Sequence, residues 1–130
     1  MPTVKAYMTR EPYSVASTDS LRRAHDLMHR HEIRHLPVLD GGRLVGILAD
    51  RDVAVVGAIP GVDLHYVEVS RVMEPALDVW GEMPLDEVSQ LMLSRKRDCV
   101  VVRGGNGVEG IFTATDALHA LAELVRRATA

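Results

Sequence analysis

Apolar residues recur at Leu21, Ala24, Leu27 and Met28, and again at Leu85, Val88, Leu91 and Met92. The i, i+3, i+6, i+7 spacing places each set on one stripe and predicts two amphipathic helices. Asp19 and Pro84 suit their N-termini. Arg30 and Arg95-Lys96-Arg97 fall near their C-termini, where cations meet the negative end of the helix dipole. After each helix come two apolar runs around a glycine turn. The first pair is 36–39 and 44–48 around Asp40-Gly41-Gly42, and the second is 100–102 and 108–112 around Gly104-Gly105-Asn106-Gly107. Glycine supplies the positive φ that tight turns need, so both read as β-hairpins. A short extended piece precedes each helix, around 14–16 and Asp78–Trp80. A second helix follows each hairpin, from near Asp50 and near Thr113. The last of these carries Leu118, Leu121, Ala122 and Val125 on one face.

The two halves are one unit written twice. An ungapped shift of 64 residues superimposes Val15 on Val79, Leu21 on Leu85, Leu27 on Leu91 and Met28 on Met92, and likewise Gly46 on Gly110, Ile47 on Ile111 and Asp52 on Asp116. Only the start drifts: Met8 matches Met73 at an offset of 65. The reading is a repeat over residues 1–64 and a second over 65–130, joined by a short, partly polar linker at 57–70. A β-α-β-β-α unit of about 60 residues buries little core alone. The expected fold class is therefore α/β (α+β), with two units packed sheet to sheet in pseudo-twofold symmetry as one module.

Composition narrows the function class. The chain has 130 residues, 47% hydrophobic and 25% charged, with a formal net charge of −3. That balance disfavours a broad nucleic-acid surface. No apolar run approaches the ~20 residues of a membrane helix, and MPTVKAYMTR has no apolar signal-peptide core. The expectation is a cytoplasmic protein with no nucleic-acid or membrane partner. A lone Cys99 makes no internal disulfide and is too few for a structural zinc site.

The residues then resemble a known family, the cystathionine β-synthase (CBS) domain in tandem, bacterial type and stand-alone. The first copy has Met8-Thr9-x-x-Pro12, Leu21 and Ala24, His35-Leu36-Pro37-Val38, and Gly46-Ile47-Leu48-Ala49-Asp50-Arg51-Asp52. The second ends in Gly110-Ile111-Phe112-Thr113-Ala114-Thr115-Asp116, which matches the family's nucleotide motif of Gly, two apolar residues, Thr or Ser, two variable residues and Asp. The resemblance implies binding of an adenosine-containing ligand (AMP, ADP, ATP, S-adenosylmethionine, sometimes NAD) in a cleft between repeats, as a regulatory ligand rather than a required cofactor.

Two sites are implied. In one, Asp116 binds the ribose, Thr113 and the following helix N-terminus meet phosphate, and Gly110 and Ile111 line the backbone approach. Met8, Tyr13 and Ile33 then surround adenine, with Arg97 toward the phosphate. In the other, Asp52 takes the ribose with Gly46 and Ile47, Leu77 and Val79 flank adenine, and Arg34 and His35 face phosphate. Each departs from the pattern. Ala49 replaces the usual Thr or Ser, and Asp98 and Cys99 stand where the first copy has Arg34 and His35. The Asp116 site has the better ribose motif and Asp52 the better cations.

Plainer readings stand beside these. Thr113-x-x-Asp116 is also a capping-box pair, sufficient by itself to account for both residues. His25 and His29 have metal-ligand spacing, but no zinc-hydrolase carboxylate motif accompanies them. They read as solvated helix residues, and no metal ligand is assigned. Met28 and Met92 read as core, Cys99 as a small apolar residue, and Trp80 as either an interface anchor or a cover for the helix below. No nucleophile–base pair or Walker loop indicates an enzyme. The leading function is an adenosine-ligand sensor that signals to a protein partner. The alternative is a ligand-free interaction module acting through homodimerisation, for which the 118–125 stripe is suited.

Overall fold

The computed structural model describes residues 1–129. In chain order its elements are β1 (Thr9–Arg10), α1 (Leu21–His31), β2 (His35–Asp40), β3 (Arg43–Ala49), α2 (Asp50–Gly57), β4 (Asp78–Trp80), α3 (Leu85–Arg95), β5 (Cys99–Gly104), β6 (Gly107–Thr113) and α4 (Ala114–Thr129). Short 3-10 turns lie at Val4–Ala6, Leu64–Tyr66 and Val69–Arg71. The α-β-β-α order occurs twice, as the repeat implies, and β4 precedes the second. The matching extended piece expected around 14–16 is reduced to a single bridge from Val15 to Val38, and β1 is a separate, earlier segment.

Sequence repeats and compact units are cut differently. One unit joins Met1–Pro12 to the residues from Leu77 onward, and the other is Tyr13–Ala76. The opening segment of the chain thus packs with the second hairpin, and the segment before Leu77 packs with the first.

In the unit that contains the chain's start, the sheet order is β1-β6-β5-β4. The β5–β6 hairpin is antiparallel, β4 lies parallel to β5, and β1 pairs antiparallel to β6 with Thr9 opposite Ile111 and Arg10 opposite Gly110. Val4, Met8, Val79, Leu85, Val88, Met92, Val100, Val102, Phe112 and Ala120 form its core. Four of them (Val4, Val88, Val100, Phe112) are wholly inaccessible, as is Val102. Complete burial of such side chains is worth ~1.5–3 kcal/mol each.

The Tyr13–Ala76 unit repeats the plan with thinner edges. Its β2–β3 hairpin is flanked by single bridges, Val15 parallel to Val38 and Ile47 antiparallel to Glu74. Both hairpins carry an irregularity at equivalent points, between Val38 and Leu39 and between Val102 and Arg103. Val15, Leu21, Ala24, Met28, Leu36, Val38, Leu48, Val53 and Val69 make the second core. The helical stripes read from the sequence are therefore the buried ones, with Leu27 and Leu91 at their half-buried margins.

Local details adjust the expectations. Ser20, not Asp19, caps α1, its Oγ accepting the Arg23 N–H at 3.1 Å. Asp19 instead accepts the Ala16 N–H at 2.8 Å, which fastens the turn ahead of the helix. The 57–70 linker is held to its unit, since Leu21 N–H donates to Val67 at 2.8 Å and Val69 N–H to Asp19 at 2.8 Å. Glu32 and Lys96, at the C-caps of α1 and α3, both adopt left-handed backbone with φ of 53° and 54°. Neither is the glycine that usually serves there.

Candidate functional site

The motif residues of the second repeat converge at the start of α4. β6 ends at Thr113 and α4 begins at Ala114, so Thr113 and Asp116 sit across the first turn of the helix. The Thr113 backbone N–H donates to Asp116 Oδ2 at 3.0 Å and its hydroxyl donates to the same oxygen at 3.1 Å. The Asp116 N–H returns a bond to Thr113 Oγ1 at 3.3 Å. This is a reciprocal capping box, which satisfies helix N–H groups that would otherwise lack partners.

A third residue completes the group. Thr9 Oγ1 donates to the Asp116 carboxylate, 3.2 Å from Oδ1 and 3.3 Å from Oδ2. Thr9 reaches it because β1 pairs with β6. An ionised carboxylate has about four lone-pair positions, so Oδ1, which among the described residues meets only Thr9, retains acceptor capacity. Thr9 belongs to the Met8-Thr9-x-x-Pro12 pattern, which does not by itself mark it as a site residue. Only the β1–β6 pairing joins positions 9 and 116.

Gly110 has a packing reason of its own. A Cβ there would lie 2.6 Å from the Thr9 carbonyl oxygen and 2.7 Å from Met8 Sδ. The absent side chain makes room for β1, and Met8 fills it from the buried side. Ile111, opposite Thr9, is buried. Arg97 is half-buried just beyond α3, its N–H donating to the Met92 carbonyl at 3.0 Å. Cys99, opposite Thr113 in the hairpin, is buried. Burial first, then the nearby charges of Asp98 and Asp116, push its thiol up to about 12. A thiol in that state is no nucleophile at neutral pH, in keeping with its reading as an apolar packing residue.

The Tyr13–Ala76 unit holds the other set. Gly46 makes the same crossing: a Cβ there would lie 2.8 Å from Met73 Sδ and 2.9 Å from the Glu74 carbonyl oxygen. Ile47 and Glu74 exchange backbone bonds at 2.9 Å. Asp52 is half-buried in the first turn of α2, where Ala49 occupies the N-cap position without a side-chain bond. A carboxylate, Glu74, therefore stands where the other unit has the Thr9 hydroxyl. His35 opposes Ala49 in the hairpin, and the Arg34 carbonyl accepts the Asp50 N–H at 2.8 Å.

Not all predicted neighbours share a unit. Tyr13 and Ile33 belong with Asp52, and Leu77 belongs with Asp116. Tyr13 stacks on His31 with ring centroids 3.8 Å apart and planes 13° apart. Ile33 packs against the core of its own unit, and Leu77 against the core of the other. A concavity of about 380 Å³ opens along α1, lined by Ser20, Arg22, Arg23, Asp26, Leu27, Arg30 and His65. None of the predicted ligand residues lines it. Among the described residues no helix is long and apolar enough to cross a membrane.

Comparison with known proteins bears on the family and the fold. The family model for the CBS domain matches twice, at residues 4–58 and 69–123. The CBS domain-containing protein YhcV of Bacillus subtilis (strain 168) is 33% identical over 118 residues, covering 89% of this chain and 83% of its own length. The CBS domain pair of protein MJ0100, solved in complex with 5′-methylthioadenosine and S-adenosyl-L-methionine, superimposes with a TM-score of 0.84 at 25% identity, over 95% of this chain and 98% of that one. CBSX2, solved in complex with AMP, shares the fold with a TM-score of 0.80 at 24% identity, over 95% and 98% of the two chains. Matched across both repeats, this chain belongs to the CBS-domain family and carries the domain as a tandem pair.

Proposed function

We propose that the chain is a regulatory module that binds an adenosine-containing ligand, AMP, ADP, ATP or S-adenosylmethionine, and acts in the cytoplasm by passing its occupancy to a protein partner. One observation carries the reading: a carboxylate held by Thr9 and Thr113 at the N-terminus of α4, with acceptor capacity left on Oδ1. Vicinal ribose hydroxyls are two donors that such a carboxylate can accept. A phosphate or other anionic group is drawn to the Thr113 hydroxyl and the helix N-terminus, with Arg97 as the cation. Met8, Gly110 and Ile111 fix the backbone beside it. The adenosyl ligands of the related MJ0100 pair support the ligand class.

Gly46, Ile47 and Asp52, with Arg34 and His35, form the second candidate set. Ala49 leaves it one phosphate donor short, while Arg34 and His35 give it the better cations. Tyr13, Ile33 and Leu77 remain candidates for adenine contact. No bond-breaking step is assigned to any of these residues. Regulation follows from differential affinity: a ligand that favours one conformation shifts the population toward it, and the partner reads that population.

The test is a thermal-shift screen with AMP, ADP, ATP, S-adenosylmethionine and NAD, followed by calorimetry. A hundredfold excess over Kd stabilises by ~2.7 kcal/mol. Hydrogen bonds to a charged acceptor are worth ~1.5–3 kcal/mol, so Asp116→Ala is expected to weaken binding at least tenfold. Undiminished affinity in that variant would remove Asp116 from the site. A flat response to every ligand favours the second reading, a ligand-free homodimer joined through α4. Leu118, Leu121 and Val125 support that alternative, being 66%, 57% and 53% exposed along one face.

A further inference from the structure

The structure assigns a divalent metal site, suited to zinc, to His25, His29 and Asp50. His25 and His29 lie one helical turn apart on α1, and their rings approach to 4.1 Å between centroids. Asp50 opens α2, its backbone anchored by the N–H bond to the Arg34 carbonyl at 2.8 Å. One donor atom from each of the three lies within 4.8 Å of the other two. All three belong to the Tyr13–Ala76 unit.

The sequence shows the histidine pair but not its third member, which arrives from another helix through the β2–β3 hairpin. Two imidazoles and one carboxylate form a donor set that zinc accepts, with a fourth position left for water. Tetrahedral donors around zinc lie about 3.4 Å from one another. Side-chain rotations on the order of an ångström therefore close the triad.

A second observation points the same way. His25 Nδ1 is buried and has no hydrogen-bond partner among the described residues. The Asp26 carboxylate oxygen lies 3.6 Å from it, beyond bonding distance. Buried polar nitrogens are normally satisfied. Binding a metal resolves this in either ring orientation: Nδ1 ligates directly, or it carries the proton toward Asp26 while Nε2 ligates. The latter is the usual outer-shell arrangement of a metal-bound histidine. The bound ion ties α1 to the start of α2. His31 is excluded from the triad by its stack on Tyr13.

The experiment uses tag-free protein stripped with chelator, titrated with ZnCl₂ by calorimetry in the absence of nucleotide, and assayed for zinc after dialysis. One zinc per chain is expected, with a raised Tm. Cobalt substituted at the site should give the visible bands of a tetrahedral ion. His29→Ala and Asp50→Asn should each weaken zinc binding tenfold or more, while His119→Ala, in the other unit, leaves it unchanged. His29 is exposed, so the variant is expected to fold, and its circular dichroism verifies that. Substoichiometric zinc, or affinity undiminished in folded His29→Ala and Asp50→Asn, overturns the assignment.

Discussion

At the scale of single residues, Asp116 serves two ends at once. Its Oδ2 closes the α4 cap, and among the described residues its Oδ1 meets only the Thr9 hydroxyl. Structural and binding readings of Thr113-x-x-Asp116 are thus compatible, since one carboxylate has acceptor positions for both. Nearby, Cys99 illustrates how burial governs chemistry. With its thiol pushed up to about 12, the thiolate fraction becomes appreciable only above the pH range in which proteins are normally handled. A disulfide reagent at pH 8 is therefore expected to leave native Cys99 unmodified and to label it at once in denaturant. Rapid labelling of the native protein would contradict that. His25 shows the converse case, a half-buried side chain whose ring nitrogen lacks a partner among the described residues.

Among the elements, the decisive contacts are the crossings of β1 over β6 and of the Met73–Glu74 segment over β3. Each passes over a glycine, Gly110 or Gly46, at less than 3 Å from where a Cβ would sit. Gly110→Ala must displace backbone as well as Met8, and is expected to cost ~1–3 kcal/mol. Gly105→Ala in the neighbouring turn meets nothing within 4 Å and should change stability by less than ~0.5 kcal/mol. Chemical denaturation of the two variants compares them directly. Equal stability would mean that β1 is not held against β6 in solution. The caps also diverge between repeats: α4 has its Thr–Asp box, whereas α2 begins after Ala49 with no side-chain cap.

For the whole molecule, the two repeats do not own their opening segments. The Tyr13–Ala76 unit keeps Val69 in its core and the Ile47–Glu74 bridge at its edge. A fragment of residues 1–64 loses both and retains an orphaned Met1–Pro12. A fragment of residues 13–76 is accordingly expected to hold more helix and to melt more cooperatively than 1–64, although at about 60 residues it is marginal. Circular dichroism melts of the two fragments decide the matter. Indistinguishable melts would show that the exchanged segment adds nothing to the fold.

Local periodicity determined the elements. The stripes at Leu21–Met28 and Leu85–Met92, the glycine turns and the 64-residue shift each depend on neighbours a few residues apart, and repetition doubled the signal. Family resemblance then pointed to Asp116 and Thr113. Pairing between distant positions is a different matter. Nothing local indicates that Thr9 reaches Asp116, that Gly110 is empty to admit Met8, or that Asp50 comes to lie beside His25 and His29. Those relations depend on register and on which strand edge is available to a segment far away in the chain. Apolar burial sets such choices collectively, through Val4, Met8 and Phe112 in one core and Val53, Leu36 and Val69 in the other. Sequence determined which pieces exist. Tertiary packing decided which of their polar groups meet, because hydrogen-bond and metal geometry is satisfied within a few ångströms, a distance that chain spacing alone does not specify.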